Sequence, residues 1–432
     1  RVVLGLSVFA SVCSAVGASE PAATVYRHGR IYTVDAGNHW AESMAVSTGR
    51  IVAVGTDAEV APFIGPHTEV IELGGHMVMP GIHDMHLHPV EGGFQELVEC
   101  TFPFVTPLKD IVAKIHECAA HKSKGEWIRG GQWAAETLES SEPPTLAMLD
   151  AAAPDNPVFL IDSTYHNAWV NSRALKALGI DANTPDPKGG VIVRDATTHQ
   201  ATGMLFDNAA YFAMKRLPVR SDAQYQAAAQ WAVARLNSVG VVAMKDALAD
   251  GYSVRAYAAL DHAGKLNMRV ATSRPWHATW TENDDDEARN RAHWQDDQTA
   301  HVRTGFAKIF VDGIPPTRTA VMLEPYVPDA KHGAGFKGEL QHSQAELNAA
   351  LVELDKLGLT VKMHATGDGS ARAALDAKFL EQAGGDPVRA GHLRKAHFHR
   401  LALKSAAARR ASRTWRCRCL ASPAPGRCGC SC

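Results

Sequence analysis

Two histidines two residues apart, His86 and His88, close the run Met79-Pro80-Gly81-Ile82-His83-Asp84-Met85-His86-Leu87-His88-Pro89. In a strand successive side chains alternate faces, so Asp84, His86 and His88 point one way and His83, Met85 and Leu87 the other. Two imidazoles on one face can hold one metal ion, with Asp84 beside them as a hydrogen-bonding support. Such a pair alone is more often incidental than a metal site. Three later apolar stretches add to it. The run 307–313 (AKIFVDG) sends Ile309 and Val311 outward and Lys308, Phe310 and Asp312 inward. A buried lysine loses basicity, so Lys308 either pairs with Asp312 or, as the free amine, takes up carbon dioxide. The resulting carbamate would bridge two divalent ions as a carboxylate does. His364 ends the run 360–365 before a glycine turn, and His397 and His399 share a face in 394–399, where alternation does not choose between them. Each histidine alone is more often a satisfied core or surface residue. Four coincidences at strand ends point to one shared site, because the strand ends of an α/β barrel form its active face.

The elements that must position these residues follow from periodicity. Residues 20–75 read as short strands with glycine turns, the pattern of a small β-sandwich domain. From residue 76 to 402, strands alternate with amphipathic helices, as in a parallel sheet wrapped into a TIM-type (β/α)8 barrel. The expected strands are 76–88, 241–247, 268–273, 306–311, 359–365 and 394–399. The expected helices are 108–121, 223–236, 254–266, 344–357 and 371–382. Residues 99–208 are too long for one crossover and contain strand-like PVFLID and GGVIVRD, so they read as an insertion over the barrel mouth. Six barrel strands are visible where a closed barrel needs eight.

The chain has 432 residues, is 46% hydrophobic and 21% charged, and carries a net charge of −2. That size suits one large α/β barrel with a small companion. The near-neutral balance leaves no electrostatic footprint for nucleic acid or an anionic membrane surface. Residues 1–19 form a basic start, a short apolar run and small residues at Val16-Gly17-Ala18, the pattern of a signal peptide. This directs the protein to the periplasm or outside the cell. No later run is long and apolar enough for stable membrane insertion. Cys100 and Cys118 are a candidate disulfide in such a compartment, although sequence does not fix the geometry. Residues 403–432 (LKSAAARRASRTWRCRCLASPAPGRCGCSC) abandon periodicity. Their cysteine spacings do not match paired zinc motifs, so a frameshifted tail is preferred over a metal knuckle.

Taken together, the segments IYTVD, GRIVAVG, PGIHDMHLHP, IRGGQW, DSTYHNAWVNSRAL, KIFVDGIPPTRTA and HATGDGSARAALDA resemble the amidohydrolase superfamily. The resemblance is to the branch of amidohydrolase family 3 that includes YtcJ-like and N-substituted formamide deformylase-like proteins, and it covers residues 24–399. It implies a β-sandwich packed on a metal-dependent hydrolase barrel with one or two divalent ions, usually zinc. It also implies that His86 and His88 bind one metal, Lys308 is the carbamylated bridge, and His364 binds the second. The sixth-strand ligand maps onto His397, with His399 as fallback. Trp133, His166, Asn171 and Arg318 fall at positions that would line the pocket, and Asp84, Asp312 and Asp368 would support the ligands. The alternatives for three of the lining residues are a core aromatic, a capping asparagine and a surface arginine. The family's eighth-strand aspartate has no counterpart here.

The chemistry this implies is hydrolysis of an amide-like, non-peptide carbon–nitrogen bond in a small-molecule substrate by a metal-activated water. An ester or lactone hydrolase, or a metal-binding homologue inactive for want of the eighth-strand aspartate, are the alternatives. A homo-oligomer is a possible state.

Overall fold

A computed structural model describes residues 20–395, apart from 38, 140–141, 188, 278–283, 316–317, 330–331, 387, 391 and 394. The chain divides into two compact units, residues 1–82 and 83–432. The N-terminal unit holds two small sheets. In one, Thr24–Arg27 lies between antiparallel Ser43–Ser47 and parallel Glu69–Glu72, with Arg50–Gly55 at the edge. The other orders Trp40–Ala41, Arg30–Tyr32 and Met77–Val78. Val25, Ala45 and Val60 form the buried centre of this unit.

The second unit contains a five-stranded sheet in which each strand lies beside its predecessor in the chain: Ile82–Leu87, Val241–Asp246, Arg269–Pro275, Val302–Phe310 and Thr360–His364. The last four pair in parallel, as strands joined by crossover helices must. Their outward faces carry the core. Met244, Val270 and Val302 meet Ala228, Val233 and Tyr257, while Ile309 and Val311 meet Leu347, Leu351 and Leu354. The helices begin where polar caps stand. Ser221 and Gln224 close a capping box at Asp222–Asn237, and Ser343 and Glu346 do the same at Gln344–Lys356.

Between the first and second strands, a six-stranded mixed sheet is ordered Gly190–Arg194, Ala201–Asp207, Asn167–Val170, Val158–Asp162, Ile128–Trp133 and Cys100–Thr101. The expected PVFLID and GGVIVRD strands are the fourth and first of these. One face packs Ile128, Trp133 and Leu160 on Ile111, Ile115 and Leu149; the other packs Phe159, Ile161 and Val170 on Ala174, Leu178 and Ala209. A disulfide joins Cys100 to Cys118, tying the edge strand to helix Leu108–Ala120.

One expectation needs correction. The single strand expected over 76–88 is two. Met77–Val78 pairs with Arg30–Tyr32 in the N-terminal unit, and Ile82–Leu87 joins the large sheet. Pro80 supplies no N–H for a ladder and Gly81 adds freedom, so the chain changes sheets there. The sixth strand expected at 394–399 falls largely outside the described residues, as do His397 and His399. Lys395, which is described, is helical.

Candidate metal centre

The large sheet brings His86, His88, Lys308 and His364 into one electrostatic neighbourhood. His86 is the penultimate residue of strand Ile82–Leu87, where the Asp84 carboxylate accepts its backbone N–H at 3.1 Å. His88 follows as the residue before helix Pro89–Leu97, and the two imidazole centroids lie 5.7 Å apart, edge to face. Lys308 lies on the fourth strand in register with Pro275 on one side and Lys362 on the other. It is 2% exposed, and its ammonium lies 4.8 Å from the Phe310 ring centroid. Among the described residues its ammonium takes no hydrogen bond or ion pair. The Asp312 pairing considered from sequence is absent because that carboxylate is already committed. Asp312 accepts the backbone N–H groups of Val321 at 2.9 Å and of Thr366 and Gly367 at 3.0 Å each. It thereby sets the loop that follows His364.

His364 ends the fifth strand. Its Nε2 lies 3.2 Å from the Gly313 carbonyl, which can only accept, so Nε2 carries the proton and Nδ1 keeps its lone pair. Metal-binding histidines are oriented in this way by a carbonyl behind the ring. The His166 ring centroid is 6.5 Å from that of His364, and His166 Nδ1 is 3.0 Å from Asp207 Oδ1.

Desolvation lowers the basicity of the whole group. His88 keeps part of its ring in solvent, yet the atoms packed around it, and then Lys308 and His86, push it down to about 4. His86 and His364 are lowered for the same first reason. Burial and then the neighbouring Lys362 ammonium bring Lys308 down to about 8. Imidazoles held neutral present lone pairs, and a lysine near 8 has an appreciable free-amine fraction at neutral pH. Among the described residues no three His, Cys, Asp or Glu side chains converge tightly enough to hold an ion. The nitrogen donors of this neighbourhood are a histidine pair, a lysine amine and a third histidine. Nitrogen donors favour a borderline ion over a hard one such as calcium.

Two lysines that periodicity left unremarked complete the interior. Lys362 Nζ donates to the Met85 carbonyl at 3.0 Å, bracing the chain one residue before His86. Lys245 places its ammonium 3.4 Å from the Phe306 ring centroid. The signal was available, since both alternate inward on their strands, but a lysine in a strand more often faces water.

The remaining sequence candidates separate from this group. Trp133 is buried in the core beneath the mixed sheet and donates from Nε1 to the Leu160 carbonyl at 3.3 Å. Asn171 is fully buried. Its Oδ1 accepts from Val158 N at 2.9 Å and caps helix Ser172–Leu178 through Ala174 N at 3.0 Å, while Nδ2 donates to the Asn156 carbonyl. Both therefore serve packing and capping. Arg318 pairs with Asp329 at 3.1 Å and donates to the Val327 carbonyl, holding its own loop. Asp368 accepts from Leu323 N at 2.7 Å and does likewise for the loop beside it.

Residues 69–412 match the amidohydrolase family. The chain belongs to that family. It is 30% identical over 352 residues to the N-substituted formamide deformylase of Arthrobacter pascens, covering 80% of this chain and 64% of that protein. It is also 30% identical over 362 residues to the putative amidohydrolase YtcJ of Bacillus subtilis, covering 82% and 65%. The chain thus spans a little under two thirds of the length of either relative. Among solved structures, an uncharacterized metal-dependent hydrolase from Pyrococcus horikoshii superposes with a TM-score of 0.62 at 23% identity, over 84% of this chain and 68% of that one. One from Pyrococcus furiosus gives 0.59 at 25%, over 84% and 70%. The likeness is one of fold.

Proposed function

We propose that this chain carries the metal centre of a hydrolase that cleaves an amide-like, non-peptide carbon–nitrogen bond in a small molecule. The observation that supports this most directly is Lys308, a buried amine without an acidic partner among the described residues, set among three histidines. His86, His88 and His364 would hold one or two divalent ions, zinc being the choice that suits nitrogen donors, with His397 as a further ligand outside the described residues. Lys308 would join them as a carbamate: its nitrogen lone pair attacks carbon dioxide, one C=O pair moves to oxygen, and the amine proton leaves to solvent. When bound, the metal supplies an activated water and polarises the scissile carbonyl.

The protein's own groups have separate tasks. The Gly313 carbonyl and Asp84 orient His364 and the strand bearing His86, so the ligands need little rearrangement. His166 is held through Nδ1 by Asp207, and its Nε2, with no hydrogen bond among the described residues, would exchange a proton or a hydrogen bond with the departing nitrogen. The family relative named a formamide deformylase favours an N-acyl or N-formyl amine as substrate.

Export to the periplasm or beyond is part of the proposal. The Cys100–Cys118 disulfide supports an oxidising compartment, where such bonds persist. Among the described residues no helix is long and apolar enough to cross a membrane.

The test is the His86→Ala/His88→Ala double variant, assayed for bound metal by elemental analysis and for N-formyl amine hydrolysis. Metal should fall to background, with a hydrolytic loss on the order of a thousandfold or more. Unchanged metal content would sink the assignment.

A further inference from the structure

A cavity of about 240 Å³ lies between the first three strands of the large sheet and the 100–220 segment. Its wall is contiguous with the candidate metal centre along the chain. Glu91 stands one turn beyond His88, Tyr165 precedes His166, and Pro275 is the register partner of Lys308. Phe159, Ile161 and Leu248 make much of the remaining surface apolar.

The polar groups of the cavity fall into two sets. The cationic groups are committed or at the rim: Arg220 pairs with Glu99 and lies 3.9 Å over the Phe94 ring, Arg129 donates to the Pro218 carbonyl, and Lys215 is exposed. Among the carboxylates, Asp250 accepts from the Tyr225 hydroxyl at 3.1 Å and caps its helix through Ser253 N at 2.7 Å. Asp246, fully buried behind the wall, accepts from the Tyr257 hydroxyl and Leu248 N at 3.1 Å each. Glu91 differs from both. Its Oε2 is closed to solvent and has no hydrogen-bond partner among the described residues. Burial, and then Asp250, push this carboxyl up to about 7. An unsatisfied buried oxygen of this kind is costly, and native structures keep few of them without a ligand, an ion or water.

We infer that this cavity is a specificity pocket for an organic ammonium or amidinium group on a compact apolar body, the cation facing the Glu91 and Asp250 carboxyls. The inference rests on the hydrolase reading in one respect only, that the group would be the remote arm of the substrate. A cation supplies both a hydrogen-bond donor and a charge opposite to Glu91 and Asp250. A neutral donor supplies only the first, and an anion would face the Glu91 and Asp250 carboxyls. Size agrees, since a dry cavity of roughly 150 Å³ accepts benzene, leaving room here for a ring and one charged substituent.

The pocket is tested by calorimetric titration of the full chain at neutral pH with benzylammonium, set against benzyl alcohol and benzoate as neutral and anionic counterparts. Benzylammonium should bind roughly tenfold or more tightly than either. Glu91→Gln should abolish that preference while leaving benzyl alcohol unchanged. Equal binding of all three probes overturns the inference, as does a folded Glu91→Gln protein that still prefers the cation. The wild-type comparison decides the matter even where the variant fails to fold. Binding is read without turnover, so loss of the preference leaves the hydrolase proposal standing, and metal retained by the histidine double variant leaves the pocket standing.

Discussion

Around Lys308 the buried charge is basic, with three lysines and three histidines facing little acid; around Glu91 it is acidic. Burial acts on the two regions in opposite directions of pKa and toward the same end. It lowers Lys308 to about 8 and raises Glu91 to about 7, because a low-dielectric interior disfavours whichever form is charged. Each region is thereby left close to neutral, with reactive or hydrogen-bonding capacity in hand. The difference lies in what would complete them: an electrophile and metal ions for the nitrogen-rich centre, a cation for the carboxyl cavity. Different elements carry the two: Lys308 lies on the fourth strand and Glu91 on helix Pro89–Leu97.

The largest expected effect tests the basic side. Lys308→Met keeps the side chain's length and removes the amine, so hydrolysis should fall roughly a hundredfold or more. The thermal midpoint should hold or rise, since an unpaired buried ammonium is no longer desolvated. Undiminished hydrolysis would make Lys308 a structural residue and break the contrast.

The acidic side predicts a pH signature. The Glu91 carboxyl is raised in the fold from 4.5 to about 7, so across that window the unfolded chain has lost the proton and the folded chain keeps it. Its contribution to stability therefore falls as pH rises from 4.5 to about 7 and stays low above that. Glu91→Gln should flatten part of this slope, by up to about 1.4 kcal/mol per pH unit, with Asp246, raised for the same first reason, retaining the rest. Denaturant melts at several pH values read this directly, and an unchanged slope would mean that Glu91 is not the titrating group.

The smallest effect separates the satisfied acid from the unsatisfied one. Tyr257→Phe removes the hydroxyl that serves Asp246, at a cost of about 1–2 kcal/mol in chemical denaturation. A neutral result would mean that Asp246 is as poorly satisfied as Glu91 and that the two acids are not distinct.

Alternation along the 307–313 run was enough to send Lys308 and Asp312 toward the interior and Ile309 and Val311 toward the helices, because a period of two is a local property of extended chain. It could not show that the run 76–88 changes sheets at Pro80–Gly81, since two consecutive strands and one long strand share the same alternation. Trp133 and Asn171 stood at motif positions equally suited to a pocket or a core. Only the packed segment shows Asn171 spending its side chain on Val158, Ala174 and Asn156.

What the sequence by itself determined, then, is the family, the parallel α/β pattern and the inward-facing donors, since these depend on residue type and near-neighbour spacing. Tertiary structure alone decided that Asp312 serves the loop after His364 and leaves Lys308 unpaired. It also decided that Cys100 meets Cys118 and that Glu91 is enclosed with a free oxygen. The reason is physical: desolvation and hydrogen-bond satisfaction are set by atoms distant in the chain, and periodicity does not record which of them arrive.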